Sequence, residues 1–167
     1  IIRPKSKNKK DKGKAAPVIP PVVNKWIQEP DSFRMEIFND TIQAIPSIHY
    51  DTWQLLSTQL RIVSAGIRIG EIKGKDILPA HSLALSTALN KEAFTCAEVS
   101  WDDAIKYLKK EVLLLPAEIE KGYVLVYYQG FPLGFVKHLG NRANNLYPQE
   151  WRIRTGYMPE QIQLLTD

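Results

Sequence analysis

Nucleophilic and general-base chemistry near neutral pH is best served by thiols and imidazoles, and this sequence holds one Cys (Cys96) and three His (His49, His81 and His138). They are widely separated along the chain, with no carboxylate pattern beside them. One cysteine rules out an intramolecular disulfide, and one Cys with three scattered His is thin for a zinc site built on closely spaced ligand pairs. His81, in Pro79-Ala80-His81-Ser82, reads as a hydrogen-bonded histidine packed where two domains meet, and Cys96 as a buried structural thiol. Gly66, Gly70 and Gly74 match neither a dinucleotide fingerprint nor a Walker loop and read as strand-end and bulge glycines. No catalytic residue and no metal ligand is assigned.

The other chemistry on offer is recognition of a polyanion. Gly140-Asn141-Arg142-Ala143-Asn144-Asn145-Leu146-Tyr147-Pro148 is a polar, turn-prone loop that supplies amides, a guanidinium and an aromatic ring. The chain has a net charge of +4 and a pI near 9.1, but the distribution matters more than the total. Residues 1–14 carry seven Lys/Arg against one Asp, residues 15–120 ten against fourteen acidic groups, and residues 121–167 five against three. An RNA surface on the folded body is therefore expected to be local. Its candidates are Lys121, Lys137, Arg142, Arg152 and Arg154 for phosphates, with Asn144, Asn145 and Tyr147 for bases.

These groups need elements to hold them. Tyr123-Val124-Leu125-Val126-Tyr127-Tyr128 is β-branched and aromatic and predicts a strand, Gln129–Gly134 a reversal, and Phe135–Leu139 a return strand. Arg152 alternates with Trp151 and Ile153, which predicts that the arginine points out and its apolar neighbours in. Upstream, residues 33–38 and 41–45 predict a hairpin around Asn39-Asp40. Asp51 begins a short helix to Leu60 with Trp53, Leu56 and Leu60 on its apolar side, and residues 60–64 and 66–72 predict further strands. Pro79–Ser86 opens a short helix. Ser100 with Asp103 caps a helix from Trp101 to Val112, whose buried stripe is Trp101, Ala104, Ile105, Leu108 and Val112.

Short strands without regular βα alternation give an α+β class. At 167 residues the chain holds one domain or two small ones. No apolar run approaches a membrane span and no signal peptide is visible. The start, Ile1-Ile2-Arg3-Pro4, lacks Met and reads as an excised or truncated piece. Residues 1–24 read as a basic, Pro-rich linker, whose lysines suit either an RNA-attracting tether or a solubilising spacer. Cysteine usage suits the cytoplasm, and a monomer is expected.

Two blocks together resemble a known family. Lys121–Val126, Gly130-Phe131-Pro132-Leu133-Gly134, Lys137, Gly140-Asn141-Arg142, Asn144-Asn145 and Tyr147-Pro148 resemble the last, PUA-like RNA-binding domain of bacterial ribosomal-RNA cytosine-5 methyltransferases of the RsmF type (Sun/Fmu family). Gly66–Glu71 with Pro79–Leu85 resembles the domain before it. The resemblance implies two small packed domains: a first C-terminal α+β domain over 25–90 and a PUA-like pseudobarrel, mostly antiparallel with one helix, over 91–160, with 161–167 a tail. It further implies ribosomal RNA as partner, alongside a catalytic methyltransferase domain of the same parent chain. S-adenosylmethionine would belong to that missing domain, and this chain alone holds no cofactor and is not an enzyme. Thr95-Cys96 is only superficially similar to the family's Thr-Cys pair, because the family's nucleophile sits in a Rossmann-like domain with a glycine-rich loop that is absent here. The alternative is a protein-interaction module of a ribosome-assembly factor without catalysis.

Overall fold

The computed structural model describes residues 18–156, so the lysine run of residues 1–14 and the tail at 161–167 lie outside the described residues. Ahead of the first strand, α1 (Val22–Lys25) falls at the end of the stretch read as linker, yet its Val23 is fully buried. The segment after it pairs with residues 88–90: Gln28 N–H donates to Ala88 O at 2.7 Å, and Asn90 N–H to Trp26 O at 2.9 Å.

The first sheet is an antiparallel meander of β1 (Phe33–Phe38), β2 (Thr41–Pro46), β3 (Ile67–Lys73) and β4 (Asp76–Pro79). The β1–β2 turn falls on Asn39 and Asp40, with φ of 48° and 61°. Both are in the left-handed region that a twisted two-residue hairpin requires and that short polar side chains tolerate. Two expectations fail between β2 and β3. The helix α2 (Tyr50–Gln59) has no side-chain cap from Asp51 and buries no residue; Leu56 and Leu60 face solvent because no layer of the body covers that side. Residues 60–64 form no strand either: the chain runs irregularly to Gly66, where an added Cβ would lie 2.1 Å from Ala44 O.

After α3 (His81–Ala84), the second sheet takes β5 (Thr95–Glu98), β6 (Gly122–Tyr128), β7 (Phe131–His138) and β8 (Ala143–Asn145) in chain order. Here β5 runs parallel to β6 and the other pairs are antiparallel. A parallel pair needs a crossover. It is supplied by α4 (Trp101–Leu108), where Ser100 Oγ accepts from Asp103 N–H at 3.2 Å. The helix stops short of the expected Val112: Lys110 takes φ 63°, Val112 is exposed, and Ala104 with Tyr107 forms the buried face. The β6–β7 reversal is also tighter than expected. It occupies Gln129 and Gly130 (φ 50° and 78°), which puts Pro132 and Gly134 inside β7.

Side chains alternate along β6, so Leu125 and Tyr127 face one way while Val124 and Val126 face the other. The first pair joins Phe135 in a core that also contains Ile42, Ile69 and Ile77 of the first sheet together with Trp26, Ile27 and Leu83. The second pair packs with Val136, Ala143 and Tyr107 under α4. Both faces of the β6–β7 pair are therefore covered, which accounts for the unbroken burial from Val124 to Val126 and on to Tyr127. The class is α+β, with the two sheets sharing one apolar cluster.

Candidate functional site

Tyr123, Lys137 and Asn144 stand side by side across β6, β7 and β8. Lys137 was expected to be available to phosphate. In the structure its ammonium donates to Asp76 at 2.7 Å, lies 3.5 Å from Tyr123 Oη and sits 5.0 Å from the centre of the Tyr123 ring. Tyr123 Oη also donates to Asp76, at 2.8 Å. The hydrogen bond from Lys137 holds the Asp76 carboxyl below its usual value, with Tyr123 adding to it and partial burial opposing. Asp76 begins β4, so this cluster clasps the first sheet to the second. Lys75, exposed in the same turn, was not singled out in the sequence. At the neighbouring end of the second sheet, the Lys121 side chain lies against Gly140, and Arg142 is exposed in a turn closed by Leu139 N–H to Arg142 O at 2.9 Å.

A second group of cations forms where the chain passes the end of α4. Ile153 N–H donates to Leu108 O at 3.0 Å, and Ile153 is half-buried while Arg152 and Arg154 are exposed on either side. The two arginines line a shallow depression with Lys109, which ends α4, and with Glu111. Trp151 departs from the expectation that it points inward. It is 57% exposed, because the one-turn helix Gln149–Trp151 carries its ring to the surface.

Asn145 and Tyr147 are committed to the fold. The Asn145 amide donates to Tyr107 O at 2.8 Å and to Glu111 O at 2.9 Å, and its oxygen accepts from Tyr147 N–H at 2.9 Å, so both ends of the amide are engaged. Tyr147 meets the rings of His81 and Tyr107 edge-on at 5.1 and 5.4 Å, and its carbonyl accepts from Lys110 Nζ. Asn144, by contrast, is exposed.

The histidines and the cysteine complete the inventory. His81 does sit between the sheets, in ring contact with Tyr147 and, at 5.4 Å, with Trp151. Its buried Nδ1 has no hydrogen-bond partner, which corrects the expectation of a hydrogen-bonded histidine. Burial holds the imidazole below its ordinary value. His138 is buried, with Nδ1 3.3 Å from Glu120 O. Cys96 is exposed rather than buried, its Sγ 3.6 Å from Phe94 O and 3.8 Å from Lys91 O. Partial desolvation of the sulfur pushes its pKa up, the opposite of an activated nucleophile. Among the described residues no three His, Cys, Asp or Glu side chains form a metal-holding group, and no helix is long and apolar enough to cross a membrane.

The structure thus arranges the expected contacts as two groups of exposed or half-exposed cations, Lys121–Lys137–Arg142 and Arg152–Arg154, with Asn145 and Tyr147 half-buried and engaged by the fold. The sequence reading missed Lys75, Lys109 and Trp151. Of these only Lys109, a lysine off the apolar stripe expected for the 101–112 helix, gave a signal that could have found it.

Residues 94–153 match the family model described as the methyltransferase RsmF PUA domain. Among curated proteins, the chain is similar to ribosomal RNA small subunit methyltransferase F of Shewanella loihica (strain ATCC BAA-1088 / PV-4), with 31% identity over 55% of this chain and 18% of that protein. The same enzyme of Klebsiella pneumoniae (strain 342) is 27% identical over 55% of this chain and 19% of its own length. That of Shewanella sediminis (strain HAW-EB3) is 26% identical over 71% and 25%. The chain spans between about a fifth and a quarter of the length of these relatives. Residues 94–153 are thus similar to the methyltransferase RsmF PUA domain, and the chain as a whole is similar to part of the ribosomal RNA small subunit methyltransferases F.

Proposed function

We propose that this chain is the RNA-binding portion of an S-adenosylmethionine-dependent ribosomal-RNA cytosine-5 methyltransferase. Residues 25–90 and 91–160 act as its two C-terminal units and dock a separate catalytic domain on ribosomal RNA in the cytoplasm. The chain by itself carries out no methyl transfer, holds no S-adenosylmethionine and acts as a monomer. Support comes from the relatives' names and from the thiol of Cys96, whose pKa is pushed up by partial burial. The observation that carries the reading is the set of half-exposed Lys109 and exposed Arg152 and Arg154 at one depression of the PUA region, with no carboxylate ion-paired to any of them among the described residues. Exposed cations cost little to keep solvated and release condensed counterions on meeting phosphate. Lys121, Lys137, Arg142 and Asn144 form the second contact group.

The test replaces Lys109, Arg152 and Arg154 together by alanine and titrates structured ribosomal-RNA fragments at two salt concentrations. Binding is expected to weaken, and the slope of log K against log salt to flatten by about 2 to 3, since each phosphate contact contributes roughly 0.7 to 0.9. The melting temperature should hold, because exposed charges contribute little to folding. Affinity equal to wild type rejects the surface. The alternative of a protein-interaction module draws on one observation, the exposed Leu55 and Leu56 of α2 and Leu60 just after it; in that case partner binding would be nearly insensitive to salt.

A further inference from the structure

Between the two sheets lies a cleft that neither cation group accounts for. Arg68 of β3 forms part of one wall, His81 and Ser82 of α3 lie at the junction, and Glu150 and Trp151 form the other side. Ser82 is fixed there by its hydroxyl donating to Arg68 O at 2.8 Å. Trp151 is held by backbone, its N–H donating to Pro148 O at 3.2 Å, and by an edge-to-face contact with His81, yet 57% of it remains exposed. The next residues are the exposed arginine Arg152, the half-buried Ile153 that anchors the chain, and the exposed arginine Arg154. An exposed indole between a groove and a run of cations has the chemistry of a stacking platform for a nucleobase whose phosphates lie on the adjoining basic surface.

Which part of a nucleic acid enters is decided by charge. Glu71 and Glu150 line the cleft together with Arg68 and Lys110, so the cleft offers a phosphate no excess of positive charge, whereas in the neighbouring depression Lys109, Arg152 and Arg154 outnumber Glu111. A base is uncharged, and its exocyclic amine can donate to a carboxylate. We infer that this cleft takes one unpaired RNA base stacked on Trp151, with its flanking phosphates on Arg152, Arg154 and Lys109. The inference rests on the RNA-binding reading and narrows it: the bound RNA is single-stranded at this point, since in a duplex the faces of internal bases are occupied by their neighbours.

The experiment measures binding of a short fluorescent single-stranded RNA, and of the same strand annealed to its complement, by wild type, Trp151→Ala and Trp151→Phe at low salt. Trp151→Ala should lose about tenfold in affinity for the single strand, within the range found when a stacking ring is removed. It should leave duplex affinity unchanged, and Trp151→Phe, which keeps a ring, should retain most of the single-strand affinity. Unchanged single-strand binding by Trp151→Ala overturns the platform while leaving the wider reading intact. An equal loss for both RNA forms also overturns it, because it would mark Trp151 as part of a general surface. Wild type that binds neither form at low salt refutes the RNA reading itself, and the platform with it.

Discussion

Replacing Gly134 by alanine should be among the most damaging single changes available to this chain. Gly134 lies inside β7 with φ 145°, a region that residues with a side chain rarely enter, and a Cβ built there would meet Tyr107 Oη at 2.1 Å and His81 Nδ1 at 2.7 Å. Backbone strain of this kind costs about 1–3 kcal/mol. Overpacking a filled site costs about 1–3 kcal/mol more. The neighbours have little room to move away: Tyr107 is fully buried, with its hydroxyl donating to Phe135 O at 3.3 Å, and His81 is held between rings. A loss of about 3–5 kcal/mol corresponds to a fall in melting temperature on the order of 10 °C for a chain of this size. Differential scanning calorimetry on Gly134→Ala, Tyr107→Phe and the double variant reads the two parts separately. Tyr107→Phe alone should cost about 1 kcal/mol for its lost hydrogen bond. In the Gly134→Ala background it should recover part of the loss, because the nearest clashing atom has gone. A Gly134→Ala protein that melts within about 2 °C of wild type would refute the reasoning from both strain and packing.

Two further outcomes follow from the titrating groups. Burial lowers the His81 pKa from 6.5, so the folded state binds this proton less readily than the unfolded chain. Its contribution is fully present above pH about 6.5 and is lost as pH falls through the lower folded value. Denaturant titrations from pH 8 to 5 should show stability declining below 6.5, and His81→Gln should flatten that decline; an unaltered slope would show that other groups carry it. Asp76→Asn releases Lys137 from its carboxylate, and at low salt it should strengthen RNA binding, by up to about tenfold if one phosphate contact is gained. The pair is half exposed, so stability should change by no more than about 1 kcal/mol. Weaker or unchanged binding would remove Lys137 from the RNA surface.

What the sequence made legible was local. The Asn39-Asp40 turn, the Ser100 cap and the β6–β7 hairpin each depend on residues within a few positions of one another, and the structure has all three. Reading failed where a partner lay far away in the chain. Trp53, Leu56 and Leu60 have the spacing of a packed helix face, but periodicity cannot say whether a layer exists to receive it. Pro132 and Gly134 look like turn residues. They sit in a strand because Tyr107 fills the space above Gly134 and the bulge between Val126 and Tyr127 adjusts the pairing near Pro132. The same distance effect changed the candidate site. Lys137 meets an aspartate 61 residues earlier, and Asn145 meets carbonyls of the α4 region 34 and 38 residues earlier, so side chains typical of RNA contact became a clasp and a brace. Arg152 was readable as outward from its alternation with Ile153, although Trp151 on its other side does not point in.

The apolar cluster shared by the sheets has a mechanical consequence. Ile42, Ile69 and Ile77 lie on one side of it and Leu125 and Phe135 on the other, and sliding the sheets apart would return several of these side chains to water at about 1.5–3 kcal/mol each. Thermal motion does not supply that repeatedly, so the two halves behave as one stiff block, and their junction cannot serve as a hinge. The spacing from the Lys75 turn, across Lys137 and Arg142, to the arginines beyond Trp151 is thus set before any polyanion arrives. A flexible array would lose entropy in aligning its charges, whereas a stiff one has already lost it in folding. On the RNA-binding reading such a block would work as a ruler: it would favour nucleic acids whose phosphates already stand at matching intervals and oblige the others to bend.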